Sequence, residues 1–121
     1  MDPLNIAGTE DTPTVAFDKS KGVFQISGRS LPEDAAGFFK PLVDWLQNYK
    51  SQPNPTTEFV VNLEYFNTAS SKLILDILSK VEDIPGTKVI WCHFADDEDM
   101  KEAGEEFSEL VEVPFQFKVN L

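Results

Sequence analysis

Positive charge, cysteine and histidine are all scarce in this chain. Of its 121 residues ten are basic, a single arginine (Arg29) and nine scattered lysines, against 21 acidic ones, for a formal net charge of −11. Proteins that bind nucleic acid neutralise phosphates with clustered cations, so this balance argues against a nucleic-acid partner. Cys92, the one cysteine, permits no internal disulfide, and His93, the one histidine, permits no histidine-rich metal site. No apolar stretch approaches the roughly 20 residues that cross a bilayer, so no membrane partner is expected. The start, Met1 to Gly8, has no basic segment followed by an apolar run, so it does not read as a secretory signal. The expectation is a cytoplasmic protein with no cofactor.

What is present suffices for one core. Hydrophobic residues make up 41% of the chain, and ten of its aromatics are Phe, which contribute stability only when buried. The length predicts one domain, residues 1–121, because two cores would leave too few buried residues in each.

Residues 1–13 are turn-rich, with Ile6 a candidate for docking on the body of the protein. Thr14–Phe17 and Gly22–Gly28 read as a hairpin, Phe24 and Ile26 alternating with Val23, Gln25 and Ser27 at the period of a half-covered sheet. Ser30-Leu31-Pro32-Glu33 fits a capping box, with Ser30 as N-cap. Ala35, Phe39, Leu42, Leu46 and Tyr49 then follow at helical spacing, and Pro41 inside that run predicts a kink or break. Phe59–Phe66, β-branched and aromatic, reads as a central strand. Ile74, Ile77, Leu78 and Val81 mark a second helix, and Lys88–Ala95 another strand. Asp96–Val111 reads as a third helix with Met100, Ala103, Phe107 and Leu110 inward, before a last strand at Phe115–Val119. The order β-β-α-β-α-β-α-β predicts an α/β single domain: a mixed β-sheet with an antiparallel edge and helices mainly on one face. It resembles the STAS fold of anti-sigma-factor antagonists, and fold alone does not give function.

Catalytic readings fare poorly. Cys92 and His93 are neighbours on one strand and point to opposite faces, so they form no dyad, and no second histidine exists to activate a serine. The acidic run Asp96-Asp97-Glu98-Asp99 with Glu102, Glu105, Glu106, Glu109 and Glu112 lacks the glycine and spacing of a calcium loop. It reads as a solvated helix face or as a docking face for a basic surface. Asn67-Thr68-Ala69-Ser70-Ser71-Lys72 joins the central strand to a helix N-terminus. There Asn67 or Thr68 can serve as N-cap, or a hydroxyl can accept a phosphate that the helix dipole tolerates.

Gly8-Thr9 with Thr12-Pro13, Ser30-Leu31-Pro32-Glu33, Asp44-Trp45, Leu63-Glu64-Tyr65-Phe66-Asn67-Thr68-Ala69-Ser70-Ser71, and Glu105-Glu106-Phe107 before Pro114-Phe115 run nearly end to end. In these the chain resembles the SiaC family of regulatory phosphoproteins. The resemblance implies a non-catalytic STAS-like signalling protein, not an enzyme, switched by reversible phosphorylation of Thr68. A Ser/Thr kinase with a histidine-kinase-like ATPase domain would add the phosphate and a PP2C-type phosphatase would remove it. The unphosphorylated form would bind and activate an effector, a diguanylate cyclase, raising cyclic di-GMP and favouring biofilm. Asn67, Ser70 and Ser71 follow as the setting of Thr68, with Lys72 and Tyr65 the nearest partner-binding candidates. A constitutive scaffold of the same fold, an anti-sigma-factor-antagonist-like regulator and a small carboxylate-dependent enzyme are the alternatives.

Overall fold

The computed structural model describes all residues, Met1–Leu121. Its strands are β1 (Leu4–Ile6), β2 (Thr14–Asp18), β3 (Val23–Ser30), β4 (Thr57–Phe66), β5 (Thr87–Phe94) and β6 (Phe115–Asn120), and its helices are α1 (Ala35–Tyr49), α2 (Thr68–Glu82) and α3 (Glu98–Leu110). The strands lie in one sheet in chain order. β1, β2 and β3 pair antiparallel, while β3 to β6 pair parallel through the helical crossovers. The expected mixed sheet with an antiparallel edge is therefore present, with one more strand than expected.

Alternation along the strands decides where the core sits. Val15, Phe17, Phe24, Ile26, Phe59, Val61, Leu63, Val89 and Trp91 share one face, and all three helices cover it. From α1, Trp45 lies 5.3 Å from Phe17 and Tyr49 lies 4.9 Å from Phe24 between ring centroids. From α3, Phe107 lies 5.5 Å from Trp91. Trp91 in turn donates its indole N–H to the Met100 carbonyl at 2.9 Å. α3 comes this close because residue 104 is glycine: a Cβ there would collide with the Trp91 ring.

Four sequence expectations are corrected. Ser30 does not cap α1. It ends β3, paired with Phe66; a residue before proline is disfavoured in the helical region, and the Leu31 N–H donates to the Asp11 carbonyl instead of entering a helix. Asp34 is the cap, accepting from the Gly37 N–H at 3.0 Å, and Glu33 is exposed. Pro41 does not break α1, which runs unbroken from Ala35 to Tyr49. Gly37, whose carbonyl loses its donor, lies with Pro41 on the exposed side, where water can replace the bond. Residues 4–6 form a strand rather than a loop, with Ile6 beside Val15, and the Trp45 indole fastens the preceding segment by donating to the Asp2 carbonyl at 2.8 Å. Leu110 is not inward: it is 65% exposed, overhanging a cleft instead of the sheet.

Candidate functional site

The middle of the sheet leads into the segment that the sequence singles out. β4 lies between β3 and β5 and carries Phe59, Val61 and Leu63 into the core; its pairing with β5 ends at Val61, and its carboxyl end is held by β3, through Tyr65 with Arg29 and Phe66 with Ser30. At that end Asn67 is extended, with φ −86° and ψ 174°, and its side-chain oxygen accepts from the Ser70 N–H at 2.9 Å. Asn67 is thus the N-cap of α2, and Thr68 is left out of the cap. The Asn67 N–H donates to the Ser30 carbonyl at 3.0 Å, and the Ser70 hydroxyl donates to the same carbonyl at 3.1 Å. The two hydroxyls lie 2.8 Å apart; with the Ser70 proton committed to the carbonyl, Ser30 is the donor between them. Both serines are wholly buried. They rivet the first turn of α2 to the end of β3.

Thr68 itself is exposed, on the first turn of α2. It stands at the wall of a cleft of about 400 Å³ between α2 and α3, lined also by Ser71, Lys72 and Glu106, floored by Phe66, Leu75 and Phe107, with the exposed Leu110 at its rim. The structure therefore gathers Thr68, Ser71 and Lys72 at one cleft. Tyr65 is 47% exposed and lies under the Arg29 guanidinium, 5.7 Å from the ring centroid. It borders a second, smaller cleft of about 200 Å³ with Glu64, Asp97 and Asp99. Ser70 is corrected as a surface contact: it is fully buried, and its hydroxyl is committed to Ser30. The cleft residues Leu75, Phe107 and Leu110 were not legible as a site. The only sequence signal was that Leu75 lies off the inward stripe of α2.

Other chemistry is thinly supplied. Cys92 and His93 are both buried on opposite faces of β5, and His93 shares a hydrogen bond with the Phe94 carbonyl at 2.9 Å. Burial pushes the Cys92 thiol above its ordinary pKa, only partly offset by Lys118, which makes it a poor nucleophile at neutral pH. No group of three or more His, Cys, Asp or Glu side chains is placed to hold a metal ion. The carboxylates of α3 do helix work at its start, where Asp97 caps by accepting from the Met100 N–H at 3.0 Å and Glu98 and Asp99 occupy the first turn. No helix is long and apolar enough to cross a membrane.

The structure thus places an exposed threonine on a riveted helix start, beside a largely apolar cleft. The model of the SiaC family of regulatory phosphoproteins matches residues 6–120. The chain belongs to the SiaC family. Apo-SiaC of Pseudomonas aeruginosa has the same fold, with 30% identity, a TM-score of 0.87, and 98% of this chain and 100% of that one covered. The crystal structure of the diguanylate cyclase SiaD in complex with its activator SiaC, from the same species, matches at a TM-score of 0.88 and 30% identity, over 97% and 99% of the two chains. A protein of Pseudomonas aeruginosa strain UCBPP-PA14 is 30% identical over 124 residues, spanning 99% of this chain and 98% of its own.

Proposed function

We propose that this SiaC-family protein is a non-catalytic cytoplasmic regulator, acting as one domain, whose switch is the hydroxyl of Thr68. In this reading a Ser/Thr kinase with a histidine-kinase-like ATPase domain transfers the γ-phosphoryl group of ATP to Thr68 Oγ1, releasing ADP and a proton. A PP2C-type phosphatase hydrolyses the phosphothreonine, returning the hydroxyl and inorganic phosphate. The unmodified form binds and activates a diguanylate cyclase; the phosphorylated form does not. The observation that carries the reading is the placement of Thr68: exposed, outside the cap, and on an apolar cleft. The naming of a SiaC relative as activator of a cyclase supports the choice of effector.

The chemistry of the switch is local. A phosphate adds about −1.5 to −2 charge and three strongly hydrated oxygens. At the first turn of α2 the helix dipole favours that charge, so the helix need not unfold. On the cleft wall the same group is bulky and holds its water, so an apolar partner surface can no longer close over it. Asn67 and Ser71 frame the hydroxyl and Lys72 lies one turn on, whereas Ser70 acts from within by holding the turn in place.

The test measures cyclic di-GMP synthesis by a diguanylate cyclase from the same organism, with the protein unmodified, phosphorylated by its kinase and ATP, or substituted Thr68→Ala. Stimulation by the unmodified and Thr68→Ala forms, and none by the phosphorylated form, is expected. Equal stimulation by unmodified and phosphorylated protein would overturn the switch. Phosphate mapped by mass spectrometry to a residue other than Thr68 would overturn its assignment.

A further inference from the structure

β6 ends the sheet with no strand beyond it, whereas the opposite edge, β1, is only three residues long. The main chain of β6 is turned in a definite way. The Val89 N–H donates to the Pro114 carbonyl at 2.8 Å, and β5 and β6 run parallel with Val89 beside Phe115. In a parallel ladder alternate residues turn their main-chain groups to the same neighbour, so Pro114, Gln116 and Lys118 direct theirs to β5. Phe115, Phe117 and Val119 therefore hold their N–H and C=O groups outward, away from the sheet. Their side chains lie on the helix-covered face, where Phe115 sits 6.3 Å from Trp91 and 6.2 Å from Phe117 between ring centroids. Phe117 is 37% exposed and Val119 46%, so this apolar row runs off the core into solvent. In a chain of net charge −11 the strand has no carboxylate, and Lys118 is its one charge.

We infer that β6 is a weak dimerisation edge, occupied by β6 of a second copy running antiparallel about a two-fold axis at Phe117. The strand itself sets this register. An axis normal to the sheet keeps the helix-covered faces together, so residues of the apolar row oppose one another. Centred on Phe117, that residue meets its own copy and Phe115 meets Val119. Every outward main-chain group is then paired, with about six hydrogen bonds in all. The apolar row becomes a set of cross-strand Phe–Phe and Phe–Val pairs, and Lys118 stands opposite the neutral Gln116. Centring on Lys118 instead sets two lysines face to face, and centring on Gln116 takes Val119 out of the row. Phe-Gln-Phe-Lys-Val is thus nearly self-complementary, which names a second copy as the occupant. Charge opposes the pairing. α3 packs over β5 with Gly104 against Trp91, so the two α3 helices stand about 14 Å apart, three strand spacings. They do not touch, and their carboxylates repel across a gap that salt screens. The dimer therefore strengthens as salt is raised.

The test is sedimentation velocity of the full chain from about 10 to about 500 μM, in about 20, 150 and 500 mM NaCl. The expected mass is the 13.6 kDa of one chain at low salt, rising toward twice that value with salt and concentration. Phe117→Pro deletes an N–H that β5 does not use, so it should abolish the rise while circular dichroism stays that of wild type. In a Cys92→Ala background, Phe117→Cys should crosslink to its own copy under mild oxidation, because opposed Cα atoms lie about 5.5 Å apart. Val119→Cys should not, its two copies lying about 14 Å apart. A single chain mass at every salt and concentration would overturn the inference. So would a dimer that dissolves as salt rises, or one that persists in Phe117→Pro. Crosslinking of Val119→Cys in place of Phe117→Cys would overturn the register. No β6 residue lines the cleft beside Thr68, so these outcomes leave the switch to its own test.

Discussion

Neighbouring side chains at the start of α2 do separate work. Asn67 holds the helix end, and Thr68 holds nothing. Asn67→Ala should therefore cost about 1 kcal/mol of stability, while Thr68→Ala should stay within about 0.5 kcal/mol, both read from urea melts. Thr68→Ala should nonetheless abolish phosphate incorporation from kinase and ATP, read by intact-mass spectrometry. The sequence could not assign the two roles, since Asn and Thr are both good caps; backbone geometry gave the cap to Asn67. Cys92 carries a different consequence. Burial raises its thiol pKa in the folded protein, so the unfolded chain releases that proton first as pH rises. Its contribution to stability is full below the ordinary thiol range and is lost as pH climbs through the folded value. Urea melts across about pH 7 to 10 should show a steeper alkaline decline for wild type than for Cys92→Ala. Native protein should also react with a thiol reagent far more slowly than urea-unfolded protein.

At the scale of elements, the junction of β3 with α2 decides how firmly Thr68 is presented. Ser30 and Ser70 are 40 positions apart in sequence and share a buried hydrogen bond. Replacing either serine with alanine leaves the other hydroxyl buried with fewer partners, at a cost of about 1–3 kcal/mol each. The double alanine variant removes both groups, so its cost should fall below the sum of the singles, measured as a double-mutant cycle by chemical denaturation. The same serine shows how local reading fails. Ser30 followed three residues later by Glu33 has every feature of a capping box, yet strand pairing with Phe66 and the constraint of Pro32 claim it for β3. The inward stripes of α1 and α2 were legible because periodicity of 3.6 reports directly on burial. Leu110 continued the α3 stripe in sequence and still ended in the open, because the last turn of α3 faces a cleft and not the sheet.

Over the whole molecule, charge outweighs other surface effects. Net −11 is set against three ion pairs, each formed by partly exposed side chains, so little of the repulsion is relieved internally. Screening should stabilise the protein: the thermal midpoint is expected to rise by a few degrees between about 20 and about 200 mM NaCl, measured by calorimetry. A flat or falling midpoint would mean that the acidic face of α3 is compensated in the folded state. The excess charge also discourages self-association along β6, an open edge strand whose Phe117 and Val119 are exposed and whose one charge is Lys118.

Composition and periodicity by themselves determined the class of this protein: one acidic α/β sheet whose strands and helices follow from short-range patterns of burial. They also marked residues 67–72 as a strand-to-helix junction, because turn and capping chemistry is local. Which of those six side chains faces water was settled by tertiary structure. Ser70 turns inward because β3 ends beside it, and Thr68 turns outward because Asn67 already fills the cap. The cleft beside Thr68 exists only where α2 and α3 settle on the sheet at a distance that Trp91 and Gly104 permit. Contacts between residues far apart in the chain leave no periodic trace, so no reading of one segment at a time could have shown it.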